Sequence, residues 1–194
     1  MKKDIILAGV GGQGILSIAT VIGYIAVNQN LFLKQSEVHG MSQRGGDVSS
    51  HLRISSSPIA ADLIPKGKAD MILSVEPLES LRYLPFLTKD GWIITNNKPF
   101  INIPNYPEIE TILNTITQKQ QHVLIDADRI AKESGSARSA NMVMLGAASP
   151  FLGFDDDCFF NAMKAIFGRK GEDIVQKNIL AFQAGKSFAI AERV

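Results

Sequence analysis

"ILAGVGGQGILS", residues 6–17, is the stretch on which the reading of this chain turns. An apolar run, Ile5 to Ala8, leads into Gly9, Gly11 and Gly14 in the spacing G-x-G-x-x-G, and a helix-like run starts at Ile15. Strand, glycine turn and helix in that order let a chain bend sharply and point backbone amides, at the positive end of a helix, toward a phosphate. Gly11, Gly12, Gln13 and Gly14 are therefore a candidate anion site. The competing reading needs no ligand, because the same glycines also permit tight packing of strand on helix. A dinucleotide site asks in addition for an acid about 20 positions on, closing the second strand. Glu37, after the strand-like "LFLKQS", stands near that place.

Composition bounds the rest. With 194 residues, 45% of them hydrophobic, the chain can bury one sizeable core, so a single domain over residues 1–194 is expected. A net charge of +1 gives no electrostatic pull toward nucleic acid or membrane. One cysteine, Cys158, rules out an internal disulfide and any cluster held by four thiolates of this chain. Lys2-Lys3 is followed by Asp4 and the glycine loop in place of a secretory apolar segment, and no apolar run nears about 18 residues, so a cytoplasmic location is expected.

Short apolar runs alternate with helical periodicity, the pattern of an α/β fold. Strands are expected at 4–8, 32–36, 48–54, 69–75, 91–95 and 122–126. Helices are expected at 14–28, from Pro77, at 108–120, 128–134 and 140–151, and from Asp155 to Ala191 with a break at Gly168–Gly171. In "VSSHLRIS" the residues Val48, Ser50, Leu52 and Ile54 alternate onto one face, which reads as a half-exposed strand with His51 on the polar side. The fold class is thus a three-layer α/β/α domain whose Rossmann-like sheet is mixed but mostly parallel.

The segment "SEVHGMSQRGGDVSSHLRIS", residues 36–55, packs Glu37, His39, Gln43, Arg44 and Asp47 among glycines between two strands. Ordinary connections run about four to six residues and are simply polar, so this loop invites a functional reading; a turn pinned by its own side chains is the plain alternative. Arg44 offers a planar fork for a carboxylate or phosphate, or else pairs with Glu37 or Asp47. His39 could move protons near neutral pH, or serve an interface. Neither His51 nor His122 has metal-ligand spacing with a second His or Cys, and no metal site is expected. Cys158 reads as an inert core thiol, Asp155-Asp156-Asp157 as a helix cap, and Arg169-Lys170 as a solvated connection.

Taken in order, "GVGGQGI" and then "SEVHGMSQRGG" with its alternating strand resemble the gamma-type subunit or domain of the thiamine-dependent 2-oxoacid:ferredoxin oxidoreductases. The form "EVHGMSQRGG" is most similar to the small, beta subunit of the indolepyruvate enzymes, whereas pyruvate-side relatives usually share only Arg44-Gly45-Gly46. The resemblance covers nearly the whole chain. It implies a part in oxidative decarboxylation of aryl 2-oxoacids to acyl-CoA, with a large catalytic subunit as partner and ferredoxin as electron acceptor. It also implies that the complex uses thiamine diphosphate, Mg, [4Fe–4S] clusters and coenzyme A, and that Glu37, His39, Gln43, Arg44, Gly45 and Gly46 form an interface or substrate loop.

The residues constrain that implication. Thiamine enzymes hold their Mg through Gly-Asp-Gly followed by asparagine; this chain has no Gly-Asp-Gly, so Asn96-Asn97 has no such companion. With one cysteine as well, the chain holds neither the electron sink nor the electron wires. It is expected to bind no cofactor of the complex, to be inactive alone, and to contribute at most Arg44 or His39 to catalysis. The alternative is a free-standing NAD- or flavin-dependent Rossmann oxidoreductase built on the glycine loop.

Overall fold

Asp4 to Val10 are all buried in the first strand, β1 (Lys2–Val10), and a strand covered on both faces belongs inside a sheet. The computed structural model describes residues 1–40, 46–101 and 103–192, and places β1 there. The other strands are β2 (Phe32–His39), β3 (Asp47–Ser55), β4 (Ala69–Ser74), β5 (Leu87–Asn96) and β6 (His122–Ile125), in the order β2-β3-β1-β4-β5-β6. β1, β4, β5 and β6 are parallel, while β3 runs antiparallel to both β1 and β2. The sheet is mixed and mostly parallel, as the alternation in residues 48–54 led one to expect.

Seven α-helices accompany it among the described residues: α1 (Ile15–Asn28), α2 (Pro77–Arg82), α3 (Ile109–Thr117), α4 (Ala127–Glu133), α5 (Ala140–Ala148), α6 (Asp156–Phe167) and α7 (Glu172–Ala191). α1 carries the chain from β1 out to β2, the hairpin returns as β3 beside β1, and β4 then forms on β1's other side. Between β1 and β4 the connections therefore diverge, and at their carboxyl ends such a divergence opens a ligand crevice.

The two faces are covered differently. Ile5, Leu7, Leu73, Ile94 and Val123 point into one large cluster with α1 and α4–α7. Inside it α5 and α7 touch backbone to backbone: a Cβ on Gly146 would lie 1.9 Å from the Phe182 carbonyl oxygen, and one on Gly185 2.0 Å from that of Val143. On the other face Ile6, Ile72 and Ile93 meet only small clusters formed with α2, α3 and the segment 56–66. Polar bonds hold that segment. Arg53 donates from Nε to Asp4 Oδ1 at 2.7 Å and from Nη1 to the carbonyls of Ala61 and Leu63 at 2.9 and 3.1 Å. His51 Nδ1 accepts the Ile64 amide at 3.0 Å, with the ring edge-on to Phe86.

These bonds correct one expectation. β3 is not half-exposed, and His51 does not face water: Ser49 to Leu52 are buried on both faces, because the segment 56–66 lies across the polar side. Burial, reinforced by the nearby Arg53 charge, holds the His51 pKa below its ordinary value. Burial opposes ionisation of Asp4, but hydrogen bonds and charge from Arg53 and Lys2 outweigh it and leave its pKa low.

Smaller differences have local causes. α5 stops at Ala148, and a single 3-10 turn from Ser149 to Phe151 takes over where Pro150 lacks an amide to donate. Asp155 occupies the cap position of α6 without a side-chain cap bond, and Asp156 instead accepts from Lys186 Nζ at 2.7 Å. Cys158 is half-buried and accepts from Gln29 Nε2 at 3.3 Å. No helix among the described residues is long and apolar enough to cross a membrane.

Candidate functional site

The glycine loop after β1 is shaped by its neighbours as much as by any ligand. Gly12 and Gly14 have φ of +100° and +81°, where a side chain is strained, and a Cβ on Gly14 would sit 2.6 Å from Asn141 Nδ2. Gln13 staples the loop: its Oε1 accepts the Val10 amide at 2.8 Å and its Nε2 donates to the Val75 carbonyl at 3.5 Å. The Gly11 amide donates to the Gly46 carbonyl at 2.9 Å, so it too is spent inside the protein. Among the candidate anion-binding residues Gly12 faces open space: nothing described lies within 4 Å of a Cβ placed there.

That Gly11–Gly46 bond joins the two stretches the sequence singled out. The hairpin closes through the Gly40 amide and the Asp47 carbonyl at 2.8 Å, at the sheet edge where β1 ends. Gln43, Arg44 and Gly45 lie outside the described residues, as does the side chain of His39, whose backbone ends β2 opposite Val48. Glu37 is two residues earlier in β2 and accepts a hydrogen bond from Gln35 Nε2.

Glu37 as a ribose-binding acid is corrected by topology. In a dinucleotide fold the second strand lies directly beside the first, but here β3 is inserted between β1 and β2. Two strand spacings, roughly 10 Å, separate β2 from the glycine loop's own strand.

The crevice between the diverging connections is a cavity of about 400 Å³. Gly12 and Gln13 from the first loop, Asn96 from the end of β5, Asp128 from α4, and Arg138 and Asn141 around the start of α5 line it. Asn96 ties its floor together, donating to Asp128 Oδ2 at 2.9 Å and accepting the Ala127 amide at 3.1 Å. Asn141 Nδ2 donates to the Gly14 carbonyl at 3.2 Å. Arg138 is exposed at the rim, and no carboxylate among the described residues pairs with it. The residues lining the cavity include no His, Cys, Ser, Lys or Glu, and the one carboxylate, Asp128, is engaged by Asn96. Such a crevice can hold a polar or anionic group, and among the described residues that line it Asp128 is the one ionisable carboxylate.

The sequence reading missed Asn96, Asp128, Arg138 and Asn141. A signal existed for the first two, since polar residues directly after predicted parallel strands fall at the carboxyl edge. Arg138 and Asn141 come from far along the chain and carry no local mark.

The residues present do not fit the metal centres of a 2-oxoacid oxidoreductase. Cys158 is the sole cysteine of the chain, and no three His, Cys, Asp or Glu among the described residues are grouped to hold a metal.

Residues 4–188 match the model of the pyruvate ferredoxin/flavodoxin oxidoreductase family. The chain is 35% identical to the indolepyruvate oxidoreductase subunit IorB of Methanothermobacter thermautotrophicus, over 95% of this chain and 96% of that one. Among solved structures, it is similar to the gamma subunit of a keto/oxoacid ferredoxin oxidoreductase from Geobacter sulfurreducens, with a TM-score of 0.70 and 24% identity over 97% and 99% of the two chains. It is also similar to the 2-oxoglutarate:ferredoxin oxidoreductase of Magnetococcus marinus, with a TM-score of 0.79 and 24% identity; that match spans 98% of this chain but 31% of that longer one. The family match and this relative thus make the chain an α/β subunit of the 2-oxoacid oxidoreductase kind. The chain belongs to the pyruvate ferredoxin/flavodoxin oxidoreductase family.

Proposed function

We propose that this chain is the small subunit of an indolepyruvate-type oxidoreductase. The complex decarboxylates aryl 2-oxoacids to acyl-CoA inside the cell and passes the electrons to ferredoxin. The carrying observation is the crevice itself, built at the divergence of the sheet and tied through Gly11–Gly46 to the hairpin. Similarity to an indolepyruvate oxidoreductase subunit over nearly the full chain supports the substrate class.

In this reading thiamine diphosphate, Mg and the [4Fe–4S] clusters sit on the large partner subunit, where they supply the electron sink and the path to ferredoxin. This chain shapes the neighbouring surface. The start of α1 behind Gly12, together with Arg138, favours a carboxylate or phosphate of substrate or of coenzyme A in the crevice. Glu37 and His39 at the end of β2, with Gln43, Arg44, Gly45 and Gly46 after them in the chain, are the residues assigned to substrate or partner. The NAD or flavin reading loses its ribose acid to the insertion of β3.

Arg44 gives the test. Arg44→Ala is expected to leave the chain folded, at a cost of no more than about 0.5 kcal/mol of stability. Reconstituted with the large subunit, it should lose at least about tenfold in kcat/KM or in subunit affinity, roughly 1.4 kcal/mol of interaction. Arg44→Lys should recover part of the loss, since it keeps the charge without the planar fork. An Arg44→Ala chain that assembles and turns over normally would overturn the loop's assigned role.

A further inference from the structure

Beside the crevice lies a second cavity, of about 450 Å³, walled by the first turns of α5 and α7 and by the 3-10 turns that precede them. Arg138 and Asn141 line both cavities. Asn141 is spent as a partition, since its Nδ2 donates to the Gly14 carbonyl and its Oδ1 accepts the Met142 amide at 3.0 Å. The glycine loop takes no part in the second cavity, and the crevice has neither of the two lysines found here, Lys170 and Lys177.

Three cations and one carboxylate line this second cavity. The carboxylate, Asp173, is turned to water, with its side chain 77% exposed, and Lys177 Nζ pairs with it at 2.6 Å. Lys170 stands over the Phe167 ring, 5.7 Å from its centroid, and among the described residues neither it nor Arg138 pairs with a carboxylate. Like charges gathered without a counter-charge repel one another, and an anion between them relieves the repulsion. The cavity also has a buried polar group aimed into it. Asn178 is 8% exposed, and its Oδ1 accepts from the Ser139 hydroxyl at 2.9 Å, which leaves Nδ2 as the free end of the amide. Nothing among the described residues accepts from that Nδ2. A buried donor without an acceptor is costly and rare, so an acceptor is expected in front of it.

We propose that this second cavity is a binding site for a phosphomonoester. Such a group carries a charge near −2 at neutral pH and offers three acceptor oxygens. Arg138 and Lys170 supply two unpaired cations, Lys177 a third that it shares with Asp173, and Asn178 Nδ2 a neutral donor. A carboxylate would balance only one of the unpaired charges. The volume is within the usual range of small-molecule sites, so there is room for part of the molecule esterified to the phosphate. Inorganic phosphate and the phosphate end of a nucleotide or coenzyme share this chemistry, and titration separates them.

The test is calorimetric titration of the full chain, at fixed ionic strength, with inorganic phosphate, adenosine monophosphate, coenzyme A and dephospho-coenzyme A. The three probes with a phosphomonoester should saturate the chain, and dephospho-coenzyme A, which lacks one, should bind at least tenfold more weakly than coenzyme A. Lys170→Gln/Lys177→Gln, at two partly exposed positions outside the crevice, should fold and weaken all three at least tenfold. The control Lys66→Gln/Lys68→Gln removes the same charge elsewhere and should change little. Asn178→Ala should weaken binding severalfold; if it does not fold, the lysine pair decides. Equal affinity for the three probes supports the proposal with phosphate alone as the ligand. Tighter binding of adenosine monophosphate or coenzyme A supports it with a nucleotide or coenzyme as the source. The proposal is overturned if no phosphomonoester saturates the chain, if the cavity lysines and the control lysines matter equally, or if dephospho-coenzyme A binds as tightly as coenzyme A. Each of those results leaves the proposed function standing, because that function is tested by reconstitution with the large subunit.

Discussion

The two faces of the sheet are held by different physics. One is a thick helical layer whose closest contact, Gly146 and Gly185 at the α5–α7 crossing, works only because neither residue has a side chain. The other is thin, and its covering segments are fastened by buried polar groups: Asp4 with Arg53, His51 with the Ile64 amide, and Glu76 with Tyr106. The first arrangement resists anything added to it, the second anything taken away. The helical face therefore holds the larger apolar cluster, and the thin face fastens the segment 56–66 across β3.

The contrast is broken most severely by adding bulk at the crossing. Gly146→Val should destabilise by upward of about 4 kcal/mol, because a Cβ meets backbone that cannot move without shifting a helix. Urea midpoints read this, and Gly168→Ala, where a Cβ meets nothing, should change stability by less than about 0.5 kcal/mol. Equal effects at the two glycines would refute the close-packing account.

Removing a pin should cost somewhat less. Arg53→Met leaves the Asp4 carboxylate buried without its main partner, and about 3 kcal/mol of destabilisation is expected. Adding Asp4→Asn should recover part of that loss, which a double-mutant cycle measures. The near-ultraviolet signal of Trp92, stacked on Phe151 on the helical side, should be retained in the folded variant. Its loss would mean that the faces are not separable.

The smallest effect is one of pH. His51 has its folded pKa below the unfolded value, so above about pH 6.5 both states are neutral and stability is unaffected. As pH falls below that value the unfolded state takes up the proton first, and stability should decline. His51→Leu should flatten this part of the profile; an unchanged slope would remove His51 from the account.

What the sequence made legible follows the same division. The glycine turn and the mixed character of the sheet were readable because each is written in a few adjacent residues: Gly9 to Gly14, and the alternation from Val48 to Ile54. The covering of β3 was not, since it depends on Arg53 and His51 meeting carbonyls and an amide about ten residues on, in a segment with no regular structure. The crevice was half legible. Gly12 and Gln13 stood in a recognisable motif, but Asn96, Asp128, Arg138 and Asn141 converge from separate connections. Only the strand order brings them together.

The central claim is that this chain supplies a shaped surface to a partner and no redox chemistry of its own. Anaerobic reduction of methyl viologen with indolepyruvate and coenzyme A, measured for this chain, for the large subunit and for their mixture, tests it most directly, with iron determined on each. The account predicts no iron and no turnover in this chain, and turnover in the mixture well above that of the large subunit alone. Stoichiometric iron–sulfur or real turnover in the isolated chain, or a large subunit equally active without it, would contradict the account.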